Sequence, residues 1–184
     1  KKGYTNPEGS FYNSVLFTHK AQGRTSIKDL KGKKIALTDP ESTSGSVIPS
    51  MKFSGYVGSP IRDFFGSLVY TGSHDRSINA VLRGFVDAAF VSTARIDEAI
   101  VKGKVRFDDI VILWRSEPIH FDPFVFSGGV DESLRKQIRQ IMLSSPPELE
   151  TMLNKLEMTG IVEVTNQDYQ TIHEIVAKQM QETR

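Results

Sequence analysis

The chain has 184 residues, 39% of them hydrophobic and 24% charged, with a formal net charge of +1; this is the composition of a globular protein able to bury a sizeable core. Cysteine is absent, which excludes a disulfide scaffold, a thiolate metal site and a cysteine nucleophile. The near-neutral balance leaves no clustered basic face for nucleic acid, and no apolar run reaches the roughly 18 residues of a spanning helix.

The chain opens on Lys1-Lys2 rather than Met, which predicts a processed or cut form. After a polar start, Tyr12 to His19 alternates and predicts a strand, and Thr25 to Leu30 a short helical turn entered from a Thr or Ser cap. Lys34 to Thr38 (KIALT) is a short apolar strand that runs into Asp39-Pro40-Glu41-Ser42-Thr43-Ser44-Gly45, rich in capping residues, and then into a helix over Val47 to Phe53. Leu68 to Thr71 predicts the next strand, Gly72-Ser73-His74-Asp75 a turn, and Arg76 to Arg83 a helix with Ile78, Val81 and Leu82 on its apolar face. Val86 to Val91 reads as strand, Ala94 to Val101 as helix and Ile110 to Trp114 as a buried strand. Strands separated by helices of this length are βαβ units and predict a parallel sheet covered on both faces. From Asp131 the pattern changes: helices over Asp131 to Leu143 and Pro147 to Met158, a short strand over Ile161 to Val164, and a terminal helix from Gln167 with apolar Ile172, Ile175, Val176 and Met180.

Ligands of open α/β sheets sit beyond the carboxyl ends of the strands, and two loops qualify. At Ser42-Thr43-Ser44-Gly45, three hydroxyls at a helix entry are joined by the unpaired amides and positive dipole end of the first turn, and Gly45 lets backbone come close. At Gly72-Ser73-His74-Asp75, Ser73 or Asp75 can cap the following helix and His74 can donate a ring N–H to an anion. Taken singly, such Ser/Thr clusters are more often plain helix caps, and a histidine near a turn is more often a surface residue. Asp122, in the rigid Phe121-Asp122-Pro123-Phe124 turn, is a turn former or a pocket carboxylate. The Tyr12 hydroxyl caps the core or lines a pocket. Neither a GxSxG elbow nor a Walker A loop occurs, and His19, His74, His120 and His173 lack metal-ligand spacing.

The run Asp29-Leu30-Lys31-Gly32-Lys33-Lys34-Ile35-Ala36 with Thr38 to Gly45 and Ile48-Pro49 resembles the phosphonate-binding proteins of ABC importers. The likeness continues through Gly72 to Asp75, Val86-Asp87-Ala88, Leu113 to Ser116, Pro118-Ile119, Asp122-Pro123-Phe124 and Gly160-Ile161-Val162. It implies an α/β fold of the type II periplasmic-binding kind. One near-complete lobe over 14–116 would carry a central sheet flanked by helices; 1–13 and 117–184 would form the hinge and part of a second lobe, with the family's amino-terminal part absent. The resemblance further implies that Ser42, Thr43 and Ser44 grip phosphonate oxygens with help from helix amides. His74 would add a hydrogen bond, Tyr12 would line the cleft, and Asp122 would match the carboxylate that faces an ammonium group in aminophosphonate binders. Ala94 departs from that pattern, standing where those binders carry glutamate, which puts an aminoalkylphosphonate in doubt.

The expected function is therefore reversible capture of phosphonate, phosphite or a phosphate-like oxyanion outside the cytoplasm. The protein would be periplasmic or membrane-anchored, with an ABC permease as partner and no catalytic residue, cofactor or metal. Two alternatives stand beside it. A sensory module would have the terminal helix continuing toward a membrane segment instead of packing on the second lobe, and a small-molecule enzyme would use His74 with Asp75 as its only candidate pair.

Overall fold

Asn13 breaks the strand expected over 12–19 in two. In the computed structural model, which describes residues 4–5, 10–156 and 158–182, β1 is Phe11–Tyr12 and β2 is Ser14–His19. The remaining strands are β3 (Lys34–Leu37), β4 (Ser67–Tyr70), β5 (Ala88–Ser92), β6 (Ile110–Arg115) and β7 (Ile119–His120). Five of them form one sheet in the order β4-β3-β5-β2-β6, and β1 pairs with β7 in a separate two-stranded ribbon. β3 runs parallel to β4 and β5, but β2 runs antiparallel to both β5 and β6. The sheet is therefore mixed, not parallel throughout. The segment between β2 and β3 holds only the 3₁₀ turns Lys20–Gln22 and Ile27–Leu30. Without a crossover helix the chain is not carried back along the sheet, so β2 ends where β3 begins.

Both faces of the sheet are covered, which is why its central strands read as nearly continuous apolar runs. Along β2, Val15 and Phe17 point to one side and Leu16 to the other, as the two-residue period requires. The first side packs Ala36, Ala89 and Val91 against Ile78 and Val81 of helix α3 (His74–Leu82) and Ile96 and Ala99 of helix α4 (Thr93–Val101). The second side packs Leu16, Ile35, Leu37 and Phe90 against Ile48, Phe65 and Trp114 around Phe53. The Phe53 ring stacks on Phe65 and meets Phe90 and Trp114 edge-on. Numbering the short helices in chain order, α1 is Ser54–Val57 and α2 is Ile61–Phe64.

The carboxyl-terminal part carries α5 (Glu132–Ser144), α6 (Pro147–Lys155), a 3₁₀ turn Asn166–Tyr169 and α7 (Gln170–Glu182). Asp131 caps α5 by accepting the Ser133 and Leu134 amides, yet no residue of α5 is buried. Residues 161–165 form no strand, because no neighbouring strand among the described residues offers them a ladder. On α7, Ile175 is buried and Ile172 packs beside it against the core that holds Trp114 and Ile119. The helix thus docks on the main core, where packing on the second lobe was expected; the Val176 and Met180 side chains lie outside the described residues. No helix among the described residues is long and apolar enough to cross a membrane.

Candidate functional site

The strand directions gather the candidate residues at one edge of the sheet. β3, β4 and β5 share a direction, so their carboxyl ends lie side by side; β2 is reversed, so its amino end, Ser14, lies there too, opposite Ser92 of β5. β6 also finishes at this edge. The ribbon of β1 and β7, attached to the start of β2 and the end of β6, therefore continues beyond it.

After β3, the chain enters a helical segment wound with the wide π pitch over Thr43–Val47 and again over Pro49–Phe53 before α1. Proline explains part of this. Pro49 has no N–H to give to the residue four positions back, and the Ile48 amide bonds to Thr43 instead of Ser44. Such π turns recur at functional sites. Ser42 is the N-cap: its Oγ accepts the Gly45 amide at 3.1 Å, and its carbonyl takes the Ser46 and Val47 amides. The amides of Thr43 and Ser44 meet no acceptor among the described residues, so two N–H donors remain at the helix mouth. Gly45 is required by space, because a Cβ there would fall 2.5 Å from Thr38 Cγ2 and closer still to Thr38 Oγ1. Ser44 is buried, and its hydroxyl pairs with the Tyr12 phenol.

His74 opens α3, whose N-cap Ser73 accepts the Arg76 amide at 3.2 Å. The Ser92 amide donates to His74 Nδ1 at 3.3 Å. A nitrogen that accepts cannot also hold the proton, so the neutral ring carries its N–H on Nε2. Burial first, then the Arg95 guanidinium, lower the His74 pKa to about 4, against the opposing pull of Asp39 and Asp75. The imidazole is thus an uncharged donor at neutral pH. Asp75 itself turns toward Lys104, at 3.6 Å.

Across the edge, the Tyr12 ring meets Phe121 at a tilt, with centroids 5.1 Å apart. Its phenol pKa is raised, chiefly by burial and then by the Asp122 carboxylate, with the Ser44 hydrogen bond opposing. The Tyr169 hydroxyl donates to the Phe121 carbonyl at 2.8 Å, and Asp122 bears on its phenol as well. Asp122 is exposed. Of the expected residues, then, Tyr12 joins the Ser44 hydroxyl and lies within electrostatic reach of Asp122, Ser42 and Gly45 shape the turn that carries Thr43 and Ser44, and His74 stands at the neighbouring helix entry, within electrostatic reach of Asp39 behind β3.

Sequence reasoning missed Ser14, Ser92 and Tyr169. Ser14, a polar residue opening the apolar run Val15-Leu16-Phe17, was the one with a visible signal. No group of His, Cys, Asp and Glu among the described residues could hold a metal ion.

Comparison with known proteins shows the family and the fold. A family model described as "ABC transporter, phosphonate, periplasmic substrate-binding protein" matches residues 3–169. The Phosphonates-binding periplasmic protein of Escherichia coli is 26% identical over 151 residues, covering 79% of this chain and 44% of its own length. The Phosphate-import protein PhnD of Mycolicibacterium smegmatis is 31% identical over 99 residues, covering 50% of this chain and 31% of its own. The chain thus spans less than half the length of these curated relatives. Among solved structures, PhnD1 from Prochlorococcus marinus in complex with methylphosphonate superposes with a TM-score of 0.72 at 21% identity, over 92% of this chain and 67% of that one. A binding-protein component of an ABC phosphonate transporter from Pseudomonas aeruginosa gives 0.71 at 20%, over 91% and 57%. At such identities the structural likeness speaks to fold: a central sheet flanked by helices, as in type II periplasmic binding proteins.

Proposed function

The chain belongs to the family of periplasmic phosphonate substrate-binding proteins of ABC transporters, and from that premise we propose that it captures a small tetrahedral oxyanion outside the cytoplasm and yields it unchanged to an ABC permease. The observation that carries the reading is the pair of amides, Thr43 and Ser44, that meet no acceptor among the described residues at the mouth of a helical turn. The Ser42 hydroxyl, which accepts the Gly45 amide, keeps its own proton to give, and the neutral His74 ring, which accepts at Nδ1, keeps the one on Nε2. Helix mouths hold anions through such amides and the positive dipole end.

In this reading the Ser42, Thr43 and Ser44 side chains with the Thr43 and Ser44 amides hold the oxygens, His74 adds the Nε2 proton, and Tyr12 closes the floor. Residues 14–116 make one lobe, and 1–13 with 117–184 contribute the hinge and part of the second. Neutral donors suit a carrier that must release its cargo, whereas a buried lysine–anion pair would carry a desolvation penalty of its own. The ligand class is an oxyanion without an ammonium group: Ala94, in the first turn of α4, brings no carboxylate of its own to pair with Asp122. Two relatives carry names that differ in cargo, phosphonates for one and phosphate for the other, and the tetrahedral PO₃ face is what those anions share.

Calorimetric titration of the full chain with methylphosphonate, phosphite, phosphate and 2-aminoethylphosphonate tests the proposal. Saturable binding of one or more of the first three, weaker for the amine, is expected. Absence of binding for all four, or a preference for the amine, refutes it.

A further inference from the structure

We infer that Ser14 is a positioning residue for the anion site, fixing the 42–45 turn to the strands that lead out to the small ribbon. The inference rests on the anion-binding reading of that turn. Ser14 is fully buried and its Oγ donates to the Ser44 carbonyl at 2.6 Å. That carbonyl has lost its helical donors: the Ile48 amide is spent on Thr43, and residue 49, next in the π pattern, is a proline. The hydroxyl of a residue 30 positions earlier replaces them. In a helical turn carbonyls and amides point in opposite directions along the axis. Holding the Ser44 carbonyl inward therefore aims the Thr43 and Ser44 amides out of the mouth.

The same residue touches the other half of the site and the exit strands. Its cross-strand neighbour on β5 is Ser92, whose amide holds His74 Nδ1. The Ser14 amide donates to Ser116 Oγ at 3.0 Å, and the Ser116 amide returns a bond to the Ser14 carbonyl at 2.9 Å. Next to it, Asn13 donates Nδ2 to the Ser116 carbonyl and accepts from Arg115 Nη1. The two crossing strands are thus stitched to each other at the point where one of them grips the turn. A change in the angle of the crossing strands reaches the backbone of the turn through the Ser14 hydroxyl.

Thr18 supplies a matched control. It lies on the same strand, is equally buried, and its hydroxyl donates to the Asp87 carbonyl at 2.7 Å, at the end of β2 remote from the turn. In the full chain, Ser14→Ala is expected to weaken binding of methylphosphonate or phosphate about tenfold, and Thr18→Ala by less than about twofold at a comparable fall in melting temperature. Ser14→Cys, a weaker donor of similar size, should fall between the wild type and Ser14→Ala, and it stands in if the alanine variant does not fold. Amide exchange of the ligand-free proteins gives the second readout: the Gly45, Ser46 and Val47 amides, all bonded to Ser42, should exchange faster in the Ser14 variants and unchanged in Thr18→Ala. Equal loss of binding in both alanine variants, or wild-type binding and exchange in the Ser14 variants, overturns the assignment. A wild-type chain that binds neither anion sinks the anion-socket reading instead, and the exchange comparison alone then decides whether Ser14 holds the turn.

Discussion

Replacing Gly45 by alanine probes whether the turn that carries the donors has any slack. The new methyl would lie 2.7 Å from Thr38 Cβ and 2.5 Å from Thr38 Cγ2, with Oγ1 closer still. Thr38 cannot step aside: it is fully buried and its amide is bonded to the Gly45 carbonyl at 3.2 Å. Overpacking of this kind costs about 3 kcal/mol, which for a chain of this size is a fall of roughly 10 °C in Tm. The turn should shift with it, so methylphosphonate binding should be lost as well. Thr38→Ala alone should be close to neutral. It removes a buried methyl, worth about 1 kcal/mol, but also a buried hydroxyl that meets no partner among the described residues. Combined with Gly45→Ala it removes the two nearest contacts and leaves the one at 2.7 Å, so the double variant should recover about half of the lost stability. Thermal melts and calorimetry of the three variants measure this. Wild-type stability and binding in Gly45→Ala would refute the packing argument, and so would a double variant no better than the single one.

The Ser42 and Thr43 substitutions should separate capping from ligand contact. Ser42→Ala loses the N-cap, about 1 kcal/mol of stability, together with affinity, whereas Thr43→Ala should lose 1–3 kcal/mol of binding, an order-of-magnitude figure, with stability unchanged; identical melting curves for the two would contradict this. His74 titrates near 6.5 when unfolded and at about 4 in the fold, so between those values the unfolded chain holds the extra proton. Its contribution is complete above about pH 6.5 and is lost as pH falls toward 4, at most about 3 kcal/mol. Denaturation midpoints across that window should fall with acid in the wild type and flatten in His74→Gln, and ring NMR should find the His74 pKa raised in Arg95→Gln, because that cation helps to depress it. On α5, Leu134→Asp with Ile141→Asp should change stability by less than about 0.5 kcal/mol, since neither side chain is buried. The same double variant should reduce binding of an apolar dye.

How far the fold was legible depended on how local its causes are. The helices at 74–82 and 93–101 announce themselves through cap and period: Ser73 and Ser92 accept the third amides of their helices, and Ile78, Val81, Ile96 and Ala99 fall on one face. The reversed β2 left no such mark. Its run Val15-Leu16-Phe17 looks the same in either direction, and only the want of a crossover helix before β3 hinted at antiparallel pairing. The strand expected over 161–164 failed for a related reason, since β propensity reports a fit to a neighbour that the described residues do not supply. The amphipathic pattern of α5 was read correctly as helix, yet none of its residues is buried, and Leu134 and Ile141 on its apolar stripe stand exposed among the described residues.

At the site, hydroxyls and glycine at strand ends marked two candidate loops in the sequence, and the coordinates set both at one edge. What no pattern could supply was which groups pair to scaffold those loops. The Ser44 carbonyl is held by Ser14 and His74 by the Ser92 amide, and each pairing joins residues distant in sequence through a backbone group common to every residue type. Side chains that meet a ligand are constrained in type, so they stand out in a sequence; groups that aim those side chains are constrained only in position. A tetrahedral anion held by neutral dipoles depends on the second kind as much as the first, because a dipole turned away contributes nothing where a displaced charge still attracts. Misaiming the turn through Ser14, at about tenfold, should therefore cost affinity on the same scale as deleting one hydroxyl that points at the anion.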